Sequence, residues 1–247
     1  MIYGALAALL RTYNRFAGHK TTPVGAGRLP ASGGAVVAIN HASYVDVTYI
    51  GLESIKHDKR LIRFMGKVEL KKNPILRWLM WGCGVIPVDR SAGRDSYLAA
   101  VKELRAGEVV GVYPEATISR SYELKQFKFG AARMALEAGV PTIPVIVWGT
   151  QRIAPKGHPH HLGRTKTPVA VSVGAPIPAE GDAESLTKTL RVAMLALLDD
   201  VKKAYGPHPT GEYWVPCSMG GTAPTLEQAN EIERKEKEAK AAPPPAN

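Results

Sequence analysis

The sequence has no run of 18 or more apolar residues, so a conventional membrane-spanning helix is not expected. Cysteine is nearly absent. Cys83 and Cys217 make a poor disulfide framework and fit a reducing compartment with free thiols, although a bridge between them stays open. The apolar run over residues 1–10 has no basic segment before it and no cleavage-type site after it, so a signal peptide is not expected. Zinc-finger spacing, an RNP-like aromatic motif and an isolated basic run are all missing, which argues against a nucleic-acid partner. His158, His160 and His161 follow a Gly/Pro turn without helical ligand spacing, so a solvated loop is expected there and no metal. What the chain does have is positive charge. Its 32 Lys and Arg outnumber 22 Asp and Glu, for a formal net charge of +10. That excess favours an anionic partner, either an acidic membrane surface or a phosphorylated small molecule.

At 247 residues and 45% apolar content, the chain can bury a substantial core as one domain with appendages. Ile2, Leu6, Leu9, Leu10, Tyr13 and Phe16 recur at helical spacing, with Arg11, Asn14 and Arg15 at the wetter end. An amphipathic helix is expected, lying either in a membrane interface or on the protein's own core. Thr21 to Gly34, rich in Gly and Pro, reads as a loop. Strand-like segments follow at 36–39, 61–65, 85–88, 109–113, 142–148 and 168–173. Helical ones lie between and after them, at 47–55, 68–72, 74–81, 94–105, 130–138 and 183–204. This alternation predicts an α/β fold: a largely parallel central sheet flanked by helices, with an N-terminal amphipathic helix. The expected division is an interface helix over 1–20, the main domain over 21–220 and a charged, flexible tail over 221–247. Residues 227–240 could form a solvated helix with little to bury.

The most informative stretch is Asn40-His41-Ala42-Ser43-Tyr44-Val45-Asp46, directly after the apolar run Ala35–Ile39. It puts a histidine at a strand end and a carboxylate five positions on. A carboxylate accepting from one imidazole nitrogen fixes the tautomer and leaves the other nitrogen to take a proton from a hydroxyl. The plainer reading is that Asp46 caps the next helix and His41 is a hydrogen-bonded loop residue. An amide at position 46 could favour the wrong tautomer. Other strand ends also lead into polar residues: 61–65 into Lys67, 85–88 into Arg90, and 109–113 into Glu115, Thr117, Ser119 and Arg120. Strand ends of an α/β sheet are where sites form. Hydroxyls beside a guanidinium suit an oxyanion such as phosphate. Surface cations and a solvated turn are the plainer alternatives.

In this order the motifs resemble the glycerolipid acyltransferase family, of the 1-acylglycerol-3-phosphate acyltransferase type. Its Asn-His-x4-Asp block is Asn40 to Asp46. Its second block is similar to Gly84-Val85-Ile86-Pro87-Val88-Asp89-Arg90, preceded by Lys67-Val68-Glu69-Leu70. Its Phe-Pro-Glu-Gly-Thr-Arg-Ser block resembles Tyr113-Pro114-Glu115-Ala116-Thr117-Ile118-Ser119-Arg120-Ser121. Its apolar, proline-bearing strand resembles Val140 to Ile146. The likeness covers roughly residues 35–180, and four blocks in order are a far stronger signal than any one. Two departures stand out. Ala116 replaces the usual glycine, so a backbone with φ above zero there would be strained. Ile118 takes the usual arginine position, and Arg120 comes two residues late.

The resemblance implies transfer of a fatty acyl chain from an acyl thioester to the free hydroxyl of a lysophosphatidate-type acceptor, in phospholipid biosynthesis. His41 would be the general base and Asp46 its orienting partner. Lys67, Arg90, Glu115, Thr117, Ser119 and Arg120 would bind substrate, Arg120 the acceptor phosphate. No cofactor or metal is implied beyond the co-substrate, acyl-coenzyme A or acyl carrier protein. The implied location is peripheral, on the cytoplasmic face of a membrane. The segment Ile75 to Trp81, with Lys71, Lys72 and Arg77, is a second candidate for lipid contact. Competing readings keep the chemistry with another lysophospholipid or glycolipid acceptor, replace the acceptor with water, or make the chain a non-enzymatic binder of anionic lipid.

Overall fold

The computed structural model describes residues 2–25, 29–89 and 93–241. Seven strands form one sheet: β1 (Lys20–Val24), β2 (Ala35–Ile39), β3 (Ile62–Lys67), β4 (Ile86–Val88), β5 (Val109–Val112), β6 (Thr142–Trp148) and β7 (Pro168–Val173). Their order is β1-β7-β6-β2-β5-β3-β4. β2 lies between β5 and β6 and is parallel to both, and β3 and β4 extend the parallel run. β7 is antiparallel to β6, and β1 is parallel to β7. The largely parallel sheet expected from the alternating pattern is therefore present, with two strands reversed at one edge.

β1 falls where a Gly/Pro loop was expected. Its Pro23 cannot donate to a ladder, a trait that argues against a central strand. β1 pairs only with β7, at the edge of the sheet, where proline is tolerated.

The helices are α1 (Ile2–Ala17), α2 (Asp46–Glu53), α3 (Pro74–Gly82), α4 (Gly93–Arg105), α5 (Gly130–Ala138), α6 (Ala183–Tyr205) and α7 (Leu226–Ala241). Segment 68–72, expected to be helical, is a 3-10 turn leading into α3, and α2 runs on into one π-type turn over Ser54–Asp58. Asn73 caps α3 by accepting from the amides of Ile75 and Leu76, with Pro74 in the first turn. Because side chains alternate along a strand, β2 feeds two cores. Val36 and Ala38 join Leu104, Ala132, Leu190 and Met194 on the face covered by α4, α5 and α6. Ala35, Val37 and Ile39 join Tyr49 and Ile50 of α2 on the other.

α1 packs beside α2 and α3, with Ala7 and Ala17 buried. Leu9 and Phe16 stay exposed on its outer side. No helix among the described residues is long and apolar enough to cross a membrane. The segment expected as a helix with little to bury forms α7. α7 sets Ala229 and Glu233 against the domain, and Glu233 is only 8% exposed.

Candidate active site

β2 ends at Ile39, and its neighbours β5 and β6 end beside it in the same direction. The loops after these three strands meet around His41. Asn40 ties the first to the third: its Nδ2 donates to the Val147 carbonyl (3.0 Å) and its Oδ1 accepts from the Val147 amide (2.7 Å). This clamp holds the chain at the strand end while the next residue turns out of the sheet.

His41 Nδ1 lies 3.0 Å from Asp46 Oδ2. Asp46 is wholly buried. Its Oδ2 also accepts from the amides of Ala42 and Ser43, both at 2.9 Å, and its Oδ1 accepts from the Thr150 hydroxyl at 2.6 Å. The helix-capping alternative fails, because Asp46 is the first residue of α2 and its oxygens point back to the loop before it. Every partner of the carboxylate is a donor, so Nδ1 carries the proton and Nε2 presents its lone pair. The Tyr113 ring stacks on the imidazole with centroids 3.9 Å apart and planes 18° apart. The His41 side chain keeps about a fifth of its surface open (20%). This is a general-base geometry: one nitrogen fixed, one face held, one nitrogen available.

The loop after β5 wraps the other side of His41. Glu115 Oε1 accepts from the His41 amide (2.9 Å) and Oε2 from the Lys125 amide (3.0 Å). The Ser119 amide donates to the His41 carbonyl (2.7 Å). Both Glu115 oxygens thus face backbone, and the residue shapes the loop. Burial pushes its pKa up to about 7, against the opposing pull of the Lys125 and His41 amides. Ala116 adopts φ +61°, the left-handed backbone expected where glycine is usual. Ser119 was expected to face an anion. It is buried instead, its hydroxyl bonded to Ser121 Oγ (3.0 Å) and the Glu123 carbonyl (2.9 Å).

Arg120 and Thr117 meet groups that sequence reading did not bring to the site. Arg120 Nη2 is paired with Glu236 of α7, and Nη1 donates to the Lys156 carbonyl (3.3 Å). Gly157 makes room for the guanidinium, since a Cβ there would lie 1.8 Å from Nη1. Lys125 Nζ is 2.5 Å from Glu233 Oε2, and Lys156 Nζ is 3.1 Å from Glu236 Oε2. Burial opposes ionisation of Glu233, but hydrogen bonds from Lys125 and Thr117 and the charges of Lys125 and Lys156 outweigh it and hold its pKa below the usual range.

Lys67 is exposed at the end of β3, two strands from β2 and so about 10 Å to the side. Arg90, the other expected cation, lies outside the described residues. His158, His160 and His161 are exposed, with rings beside Tyr44 and Tyr213. Among the described residues no cluster of His, Cys, Asp and Glu is arranged to hold a metal, and both cysteines are free. Thr150 was missed, although its position two residues past β6 follows the same strand-end logic as His41. Lys125, Lys156, Glu233 and Glu236 carry no local signal that sets them apart from surface charges.

The family model described as Acyltransferase matches residues 21–148. Over 185 residues the chain is 29% identical to a 1-acyl-sn-glycerol-3-phosphate acyltransferase of Chlamydomonas reinhardtii, covering 73% of this chain and 53% of that protein. Over 122 residues it is 33% identical to the 1-acyl-sn-glycerol-3-phosphate acyltransferase of Bacillus subtilis, covering 49% of this chain and 59% of that one. The chain therefore spans about half the length of these curated relatives. Its fold is similar to the crystal structure of the 1-acyl-sn-glycerophosphate acyltransferase PlsC from Thermotoga maritima, with a TM-score of 0.62 at 23% identity, over 81% of this chain and 82% of that one.

Proposed function

The chain belongs to the acyltransferase family, and from that premise we propose that it moves a fatty acyl group from an acyl thioester to the hydroxyl of a lysophosphatidate-type acceptor, in phospholipid synthesis. The observation that carries this reading is the His41–Asp46 pair at the end of β2, with no protein nucleophile required beside it. The acceptor hydroxyl gives its proton to His41 Nε2 as its oxygen attacks the thioester carbonyl carbon. Asp46 stabilises the imidazolium that forms. The tetrahedral intermediate then collapses, the carbon–sulfur bond breaks, and the departing thiolate takes the proton from the imidazolium. The products are an ester and a free thiol of coenzyme A or acyl carrier protein, and no other cofactor enters. Thr117 and Arg120, with Arg90 and the more peripheral Lys67, are the groups proposed to meet the anionic headgroup.

The substrates are lipids, and the surface of α1 and α3 supports delivery from a membrane. Leu9, Phe16, Ile75, Trp78 and Trp81 are all exposed on these two adjacent helices, with Lys71, Lys72 and Arg77 nearby in sequence. Tryptophan suits the headgroup level and the cations suit lipid phosphates. The proposed location is peripheral, on the cytoplasmic face. The test is thiol release and lipid product from purified protein, acyl-coenzyme A and lysophosphatidate. His41→Ala should lower turnover at least about a hundredfold with the fold intact. Near-normal turnover in a folded variant removes the reading, and thiol release without lipid product turns it into hydrolysis.

A further inference from the structure

α7 brings little apolar surface to the fold. Ala229 is buried near its start, whereas Ile232 points outward. What its later turns cover with is charge. Glu233 and Glu236 stand three positions apart on one helix face. They meet Lys125, Lys156 and Arg120 of the loops around the site, and Thr117 helps to hold Glu233 ionised. Thr117 and Arg120 are the headgroup residues of the function proposed above, and the inference rests on that reading. A carboxylate and a phosphomonoester ask the same of such a cluster: negative charge and oxygen acceptors that a guanidinium can fork. The hydrogen bonding of the cluster is also incomplete. Arg120 Nε and Glu233 Oε1 are buried, and neither has a hydrogen-bond partner among the described residues.

We propose that Glu233 and Glu236 are specificity-determining residues of the acceptor site: they hold the cations that a phosphomonoester headgroup needs, and such a headgroup binds by displacing them. Three cations against two carboxylates leave one positive charge in excess, so the cluster still attracts an anion from outside. A phosphomonoester brings up to two charges and more oxygens than one carboxylate, so it can replace both carboxylates at once. The competitor can be exchanged as a unit, because beyond Ala229 the docked face of α7 is made by charge and not by apolar packing, and the phosphomonoester gives the buried Lys125 and the half-buried Arg120 the anion that Glu233 and Glu236 withdraw. A headgroup with little negative charge cannot displace the carboxylates and is disfavoured.

The test uses the full chain in three forms: wild type, Glu233→Gln/Glu236→Gln, and Glu231→Gln/Glu238→Gln. The last makes the same change of charge on the outer side of α7, where both glutamates pair with Arg234. Binding of glycerol 3-phosphate is measured by calorimetry, and exchange of the α7 amides is followed with and without it. The inner variant should bind about tenfold tighter than wild type, since like-charge repulsion is removed from the site. The outer variant should match wild type. Saturating glycerol 3-phosphate should speed exchange along α7 in the wild type.

Weaker or equal binding by the inner variant, equal tightening by the outer one, α7 protection that stays or grows on binding, or no binding at all each overturns the proposal. Glu236→Gln alone, at the more exposed pair, gives the same comparison if the double variant does not fold. Adenosine 3′,5′-bisphosphate is run in parallel. If it displaces α7 and glycerol 3-phosphate does not, the cluster serves the thioester donor and the proposal fails. Turnover with lysophosphatidate reports separately on the acyltransferase reading, which can fail while the competition for glycerol 3-phosphate persists.

Discussion

Asp46→Asn separates two jobs that one carboxylate performs. The sequence alone suggests that an amide here could favour the wrong imidazole tautomer. The surroundings of Asp46 argue otherwise. Oδ2 faces the amides of Ala42 and Ser43 as well as His41 Nδ1, whereas Oδ1 faces only the Thr150 hydroxyl. A hydroxyl can rotate from donor to acceptor, but a backbone N–H cannot. An asparagine therefore settles with its oxygen toward the two amides and its NH2 toward Thr150. The reverse orientation would leave two buried N–H groups facing a donor, at about 1–3 kcal/mol each. In the favoured orientation Nδ1–H is still accepted and the tautomer is kept. What is lost is the negative charge beside the imidazolium as it forms. A charge-assisted hydrogen bond contributes about 1.5–3 kcal/mol, so turnover should fall by roughly ten- to two-hundredfold. Wrong-tautomer behaviour would cost about ten-thousandfold.

The assay is thiol release under saturating acyl-coenzyme A and lysophosphatidate, with the imidazole tautomer read from 15N shifts of His41. Removing the rotatable partner sharpens the test. In Asp46→Asn/Thr150→Ala the NH2 loses its acceptor, so unfolding should occur at a lower temperature than in Asp46→Asn alone. A ten-thousandfold loss in a folded Asp46→Asn protein, or an Nε2–H tautomer, would refute the argument that the two loop amides orient the side chain.

The strands and helices that carry the site are legible because their signals are local. β2 is an unbroken apolar run, as expected for a strand buried on both faces, and the helical periods over α4, α5 and α6 coincide with buried stripes. Pro23 concealed β1, since the same residue that argues against a central strand is acceptable at an edge. The His41–Asp46 contact is legible because five residues of loop close it. Thr150 is 104 residues from Asp46 and reaches it only through the β2–β6 pairing, which no local pattern encodes. Glu233 and Glu236 are the extreme case. In sequence they cannot be told from Glu231 and Glu238, and only the docking of α7 turns two of these four carboxylates inward. The backbone at Ala116 was legible by the opposite route, as a glycine that the resemblance calls for and the chain lacks.

Ala116→Gly should raise stability, since the exposed alanine gives up no packing and its left-handed backbone costs about 1–2 kcal/mol, part of it offset by glycine's greater freedom when unfolded. A net gain of roughly 0.5–1 kcal/mol is a rise in Tm of about 1–4 °C, and a fall in Tm would show that the alanine methyl is needed. The raised pKa of Glu115 has a direction that can be checked. Between about 4.5, its ordinary value, and about 7, the folded state binds the proton and the unfolded state does not, so the stability of wild type relative to Glu115→Ala should fall as pH rises through that window. A difference that grows with pH would mean that the His41 and Lys125 amides outweigh burial. The membrane patch can be tested without removing α1, whose deletion would uncover the core beside Ala7 and Ala17. At 16 residues α1 is about 24 Å long, shorter than the ~30 Å hydrocarbon layer, and one face of it is already used against the protein. Leu9 and Phe16 lie seven positions apart, two turns along the outward face, so both can reach an interface at once. Replacing Leu9 and Phe16 with serine should weaken co-sedimentation with anionic vesicles by roughly 2–4 kcal/mol, and Trp78→Ser/Trp81→Ser on α3 should act in the same direction. The four changes together should abolish sedimentation at low salt while the far-UV spectrum stays native. Undiminished binding by the fourfold variant would place any membrane contact on another face of the protein.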